Sequence, residues 1–185
     1  MAIGMDTKPL DDLLAYWHSL PIADGAKVPA KSSLSPRALK PHLPNIGIFE
    51  RISRYDVQIR LFGTQLDKKF GQMLTGANLF DFQARDQWEF YADYYAAVLD
   101  TPAGSRLVRK SVDRNDNVIT CESLILPLAD EAGEARYTVG MLLIESESPL
   151  NDPIDPDRIQ QTKIIHVEFV DIGHGLPANP PALPG

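Results

Sequence analysis

The stretch Tyr55–Phe82, YDVQIRLFGTQLDKKFGQMLTGANLFDF, decides the fold. Val57, Ile59 and Leu61 alternate against Gln58, Arg60 and Phe62, the period-two pattern of a strand, and Gly63-Thr64 breaks it. A helix is expected to start at Thr64, whose hydroxyl can accept from the free N–H groups of the first turn. Leu66, Phe70 and Met73 then recur at helical spacing along one face, until Gly71 and Gly76 interrupt it. A strand therefore feeds directly into short, broken helices.

Working outward, Asn45 to Arg51 reads as a first strand, Ser53 to Asp56 as a turn, and Val57 to Phe62 as the return strand of an antiparallel hairpin. After the broken helices, Asp86 stands before Trp88 with Glu89 three residues on, a capping-box variant at the start of the longest central helix. Trp88, Tyr91, Ala92, Tyr95, Val98 and Leu99 share one face of it, and Thr101-Pro102 ends it. Three strands follow, Arg106 to Asp113, Val118 to Leu128 and Tyr137 to Glu145, separated by the turn Arg114–Asn117 and the polar loop Asp130 to Ala135.

This order resembles a PAS domain. More narrowly, Arg60-Leu61-Phe62-Gly63-Thr64 followed by Gly71-Gln72-Met73-Leu74-Thr75-Gly76 is similar to a one-domain PAS family of bacteria, mostly alphaproteobacteria, and the resemblance runs from Trp17 and Leu43-Pro44 to about Glu145. It implies an α+β fold: a five-stranded antiparallel sheet with helices on one face, here with an N-terminal amphipathic helix and a C-terminal extension. The division expected is residues 1–44 as a helical cap, 45–147 as the PAS core and 148–185 as the extension. The family often carries arginine where this chain has Lys31, which does not make the same planar two-pronged contact with a carboxylate.

In the cap, Leu10, Leu13, Leu14, Trp17 and Leu20 recur at three and four between Thr7 and Leu20, with Pro9 in the first turn. That stripe has to be covered, by the chain's own sheet or by a second copy; pairing between copies is the expectation. Residues 21–33 read as a loop, and Ser35-Pro36 as the start of a short helix stopped by Pro41 and Pro44. In the extension, Asn151 to Pro156 is turn-forming, Asp157 to Lys163 suits one or two helical turns, and Ile164 to Ile172 reads as an additional strand able to join either its own sheet or another copy's. The residues from Gly173 to Gly185 hold too many prolines and glycines to fold independently.

At 185 residues and 44% hydrophobic the chain suits one core. A net charge of −7 and a pI near 5.0 provide no basic footprint for a phosphate backbone or an anionic membrane surface. No apolar run reaches the ~20 residues of a membrane span, and the start MAIGMDTKPL lacks the pattern of a secretion signal, so a cytoplasmic location is expected. One cysteine, Cys121, makes no internal disulfide.

The four histidines, His18, His42, His166 and His174, are scattered with no two at metal spacing on one element, so no metal site is expected. Gly71-x-x-x-x-Gly76 lacks the lysine and hydroxyl residue of a phosphate loop. No nucleophile with its base stands out, and no catalytic residue is assigned. The resemblance implies where cofactors would bind. Haem PAS domains hold iron through a histidine on the long helix, and residues 88–99 contain none; flavin photosensors carry their cysteine in an N-C-R-F-L-Q helix, whereas Cys121 stands on a strand. The cofactor, if any, stays unknown.

The stripe Trp88, Tyr91 and Tyr95, facing the sheet where PAS domains keep their cavity, is therefore the candidate ligand surface, joined by Phe70, Cys121 and Arg60. Arg60 points either into the cavity, where it would demand an anion, or outward. The resulting reading is a non-catalytic sensory module that binds a small ligand or a signalling protein partner and forms a homodimer, without contact to nucleic acid or membrane. The alternatives are a small cone-shaped α+β enzyme using a buried Asp or His as general base, and a ligand-free structural dimer.

Overall fold

The computed structural model describes residues 5–146, 154 and 159–184. Nine helices and strands build the fold among the described residues: α1 (Lys8–His18), β1 (Ile46–Ser53), β2 (Asp56–Phe62), α2 (Thr64–Phe70), α3 (Trp88–Asp100), β3 (Gly104–Asp113), β4 (Val118–Ala129), β5 (Ala135–Ser146) and β6 (Ile159–Val170), with two short 3₁₀ turns between α1 and β1 and two between α2 and α3. The strands form one antiparallel sheet in the order β2-β1-β5-β4-β3-β6. The sheet thus has six strands rather than five. The sixth is the additional strand of the extension, which begins at Ile159 and pairs along the whole of β3, from Gly104↔Val170 to Asp113↔Ile159. Residues 159–163, expected to be helical, are part of it, while Asn151 to Pro156 and the start of the Asp157 to Lys163 stretch lie largely outside the described residues. The strand completes its own sheet because β3 would otherwise leave a row of unpaired N–H and C=O groups at an edge.

Two cores sit on the two faces of the sheet. On the inner face, α2, α3 and the loop between them cover Phe49, Val57, Ile59, Leu107, Ile119 and Ile125, with Phe80 fully enclosed. On the outer face, α1 lays Leu10, Leu13 and Trp17 onto Leu124, Leu126, Leu128, Val139 and Met141. The apolar stripe of α1 is thus covered by the chain's own sheet, not by a second copy, and the indole N–H of Trp17 donates to the carbonyl of Pro127 at 2.9 Å. The short helix expected after Ser35-Pro36 is a series of turns, in which Leu39 N–H reaches Ser35 O at 3.1 Å. The tail begins with Asp171 accepting from the N–H groups of Gly173, His174 and Gly175, and the His174 ring donates to Lys27 O at 2.6 Å.

Three local expectations change. Thr64 is the first residue of α2 and Gly63 its cap, and Met73 is 84% exposed because α2 has already ended at Gly71, which takes the left-handed conformation (φ 67°). Asp86 lies in a 3₁₀ turn, Arg85–Gln87, and makes no capping hydrogen bond for α3. Strand β2 does not alternate to its end. Ile59 pairs with Phe49 and Leu61 with Ile48, so Arg60 is the extra residue of a β-bulge; Arg60 and Leu61 are both exposed and Phe62 turns inward.

On the outer face Arg60 meets Glu50, a buried carboxylate held by Arg60 Nε at 2.5 Å and Arg136 Nε at 2.9 Å. Burial pushes the Glu50 carboxyl up, but the hydrogen bond and charge of Arg60, with Tyr137 and Arg136, more than offset this and hold it below the ordinary glutamate value. A folded-state pKa below the unfolded one gives stability that is present above the unfolded value, about 4.3, and is lost as pH falls through the folded one. Glu50→Gln is accordingly expected to cost about 1–2 kcal/mol at neutral pH, the worth of a charge-assisted hydrogen bond, and to flatten the acid limb of the melting temperature. Melting curves of the two proteins that run parallel down to strong acid would contradict this.

Candidate functional site

Between α3 and the inner face of the sheet lies a cavity of about 360 Å³. Its walls follow from strand and helix periodicity. β1 and β2 contribute Phe49 and Ile59; α2 and the loop after it contribute Phe70 and Leu74; α3 contributes Tyr91, Tyr94 and Tyr95. β3 turns Leu107, Arg109 and Ser111 inward, and β4 turns Ile119, Cys121, Ser123 and Ile125 inward. Gly140 leaves the room that Phe49 and Ile125 occupy, since a Cβ there would lie 3.0 Å from Ile125 Cγ2 and 3.5 Å from the Phe49 ring. Lys69 ties α2 to two wall residues: its ammonium donates to Ile144 O at 2.7 Å and its carbonyl accepts from Ile154 N–H at 2.5 Å. Ile154 and Ile159 are also part of the wall.

Of the residues expected to bind a ligand, Phe70, Tyr91, Tyr95 and Cys121 line this cavity. Arg60 does not: next to inward-facing Ile59 it stands on the outer face, where it pairs with Glu50. Trp88 does not either. It opens α3, seven residues and therefore roughly 10 Å of helix rise before Tyr95. There its ring packs on Tyr55 and Phe80 with centroids 5.9 and 5.3 Å apart, its indole N–H donates to Gln83 O at 3.2 Å, and the Arg85 guanidinium lies 3.7 Å from the ring centroid. Trp88 is a clasp between the loop and β2. Asn78 has the same task, since its side chain accepts from the N–H groups of Val57 and Phe80 and donates to Tyr55 O. Lys31 stands on the outer face, 4.6 Å over the Tyr137 ring.

The wall contains a residue that the sequence reading did not single out. Arg109 is the cross-strand neighbour of Cys121, and its Nη1 donates to Tyr91 Oη over 3.5 Å, a long contact. Burial opposes its charge; Cys121 and Tyr91 beside it more than offset this, and the guanidinium is held above its already high value. Cys121, a buried free thiol, has this guanidinium as its cationic neighbour. A signal for Arg109 was present: Leu107 and Ser111 share its face at period two, opposite Cys121.

Tyr94 and Tyr95 of α3 are neutral fixtures. Burial pushes Tyr95 far up, and it pushes Tyr94 up in the same way, slightly relieved by Ser105. The Tyr94 hydroxyl is sealed from the cavity and has no well-aligned partner; Ser105 beside it donates its own proton to Glu168 O at 3.2 Å.

A helical layer over an antiparallel sheet, with the long helix α3 roofing a cavity, is the arrangement that the motif order implied. The sequence matches the family described as PAS domain over residues 5–143. The chain belongs to the PAS domain family. The match spans α1 through most of β5, so the outer helix of this PAS domain is inside the family's own segment and β6 lies beyond it. PAS domains are in general non-catalytic sensory or signalling modules. No curated protein matches the chain. Among the described residues of this PAS domain, no helix is long and apolar enough to cross a membrane, and no group of His, Cys, Asp or Glu is placed to hold a metal ion.

Proposed function

We propose that this PAS domain is a sensory module that takes a small organic molecule into the cavity beneath α3 and passes on its presence through the surface of the domain. The observation that carries this reading is the cavity itself: about 360 Å³, within the roughly 300–1,000 Å³ of small-molecule sites, with apolar and aromatic walls and a few convergent polar groups. A packed PAS core serving structure alone would fill that space, because a void forfeits dispersion contacts on all its walls. The enzymatic alternative finds less support, since the described lining holds no histidine and its acidic residue, Asp81, is exposed.

Mass spectrometry of the protein purified and sprayed under native conditions tests the reading. A bound mass of a few hundred daltons that is lost on denaturation is the expected result. Repeated spectra of the bare chain, from cells grown on several media, would favour a module that works through protein contact alone.

A further inference from the structure

The chemistry of the cavity wall narrows the class of ligand. Arg109 is the single Lys, Arg or His among the described lining residues. Among the described residues it has no carboxylate within ion-pair distance, and Asp81 on the same wall is exposed. A guanidinium presents five N–H donors in a planar fork, and the side chains it meets among the described residues are two weak acceptors, the distant Tyr91 Oη and the Cys121 sulfur, which leave most of the fork unused. The hydroxyls nearby are already engaged: Ser111 with Thr162 at 2.9 Å, and Ser123 with Leu107 O at 3.4 Å. Arg109 is half-buried, and a partly desolvated cation with no carboxylate partner among the described residues is costly, so a site that keeps one suits a partner that brings the opposite charge.

We infer that the cavity takes an apolar monocarboxylate, its two oxygens forked onto Arg109 beside Tyr91 and its hydrocarbon or aryl body against Phe49, Phe62 and Phe70. One guanidinium matches one charge and two coplanar oxygens. A phosphate would bring nearly two charges to a wall with one cation, and an amine would meet the wrong sign. The inference rests on the reading that the cavity is a ligand site.

The test compares acids with their uncharged amides on the full chain: octanoate against octanamide, and phenylacetate against phenylacetamide, followed by titration calorimetry and by melting temperature. At least one acid is expected to bind roughly ten- to a hundred-fold more tightly than its amide, the factor associated with a charge-assisted hydrogen bond. In Arg109→Met the preference should vanish while the ligand-free melting temperature holds or rises, since a partly desolvated charge has been removed. Arg109→Lys should recover part of the preference, because a lysine supplies the charge without the fork. Equal binding of acid and amide by the native protein overturns the carboxylate assignment and leaves the ligand reading intact. So does an acid preference that survives in Arg109→Met. Binding of none of the four probes overturns the assignment as well, and native mass spectrometry then decides separately whether the cavity takes any ligand.

Discussion

Replacing Trp17 by alanine is expected to lower the stability of the fold by about 4 kcal/mol, in the range of large aromatic truncations in a core. Trp17 is 2% exposed and lies with Leu10 and Leu13 against the outer face of β4 and β5. The small residue would leave a hole that neither α1 nor a sheet fixed by its ladders can close. The indole hydrogen bond to Pro127 is a separable part of the loss. Trp17→Phe should retain most of the burial and cost only about 1 kcal/mol for the bond, plus whatever the smaller ring leaves unfilled. Urea unfolding followed by far-ultraviolet circular dichroism measures both. A loss below about 1 kcal/mol for Trp17→Ala would mean that α1 is not held on its own sheet, and pairing of that helix between copies would again be needed to cover its stripe.

Gly63→Ala is expected to be nearly as damaging, about 3 kcal/mol, although the substitution adds one methyl group. The backbone at Gly63 is ordinary (φ −69°, ψ 152°), so conformational freedom is not the reason for glycine. A Cβ there would fall on the carbonyl oxygens of Leu43 and Pro44 and only 2.5 Å from the Pro44 carbonyl carbon. Those are backbone atoms, and they have no rotamer by which to escape. The 3₁₀ turn Leu43–Asn45 would have to leave the start of α2, carrying with it the hydrogen bond from Gly63 N–H to Ile46 O at 2.9 Å. A variant that unfolds within about 0.5 kcal/mol of the native protein would show that this close approach is not maintained in solution. The contact also accounts for two sequence signals far apart in the chain, Leu43-Pro44 and Leu61-Phe62-Gly63-Thr64, which are the two sides of one packed junction.

The features legible along the chain were local and periodic. The three-and-four spacing of Leu10, Leu13 and Trp17 and the spacing of Tyr91, Tyr95 and Val98 place two helices, and the alternating runs before and after them place the strands, with ends correct to within two residues for β1 to β5. The motif glycines and the order of elements identified the PAS family. Tertiary structure decided the rest, because periodicity says which residues share a face but not which face is covered, or by what. Period two separates Arg109 from Arg106 and Lys110, yet only the packing of α3 shows that the face of Arg109 is the one that lines the cavity. One extra residue in β2 moved Leu61 off the inner face and Phe62 into the candidate site, a shift invisible to a pattern of period two, while Arg60 stayed on the outer face that the alternation gives it. Trp88 left the stripe since distance along the helix axis, and not only angle around it, decides what a side chain reaches. The additional strand was readable as a strand, but its partner was not: a row of unpaired N–H and C=O groups carries no address, and β6 found the edge of β3 in its own chain because that edge was long and open.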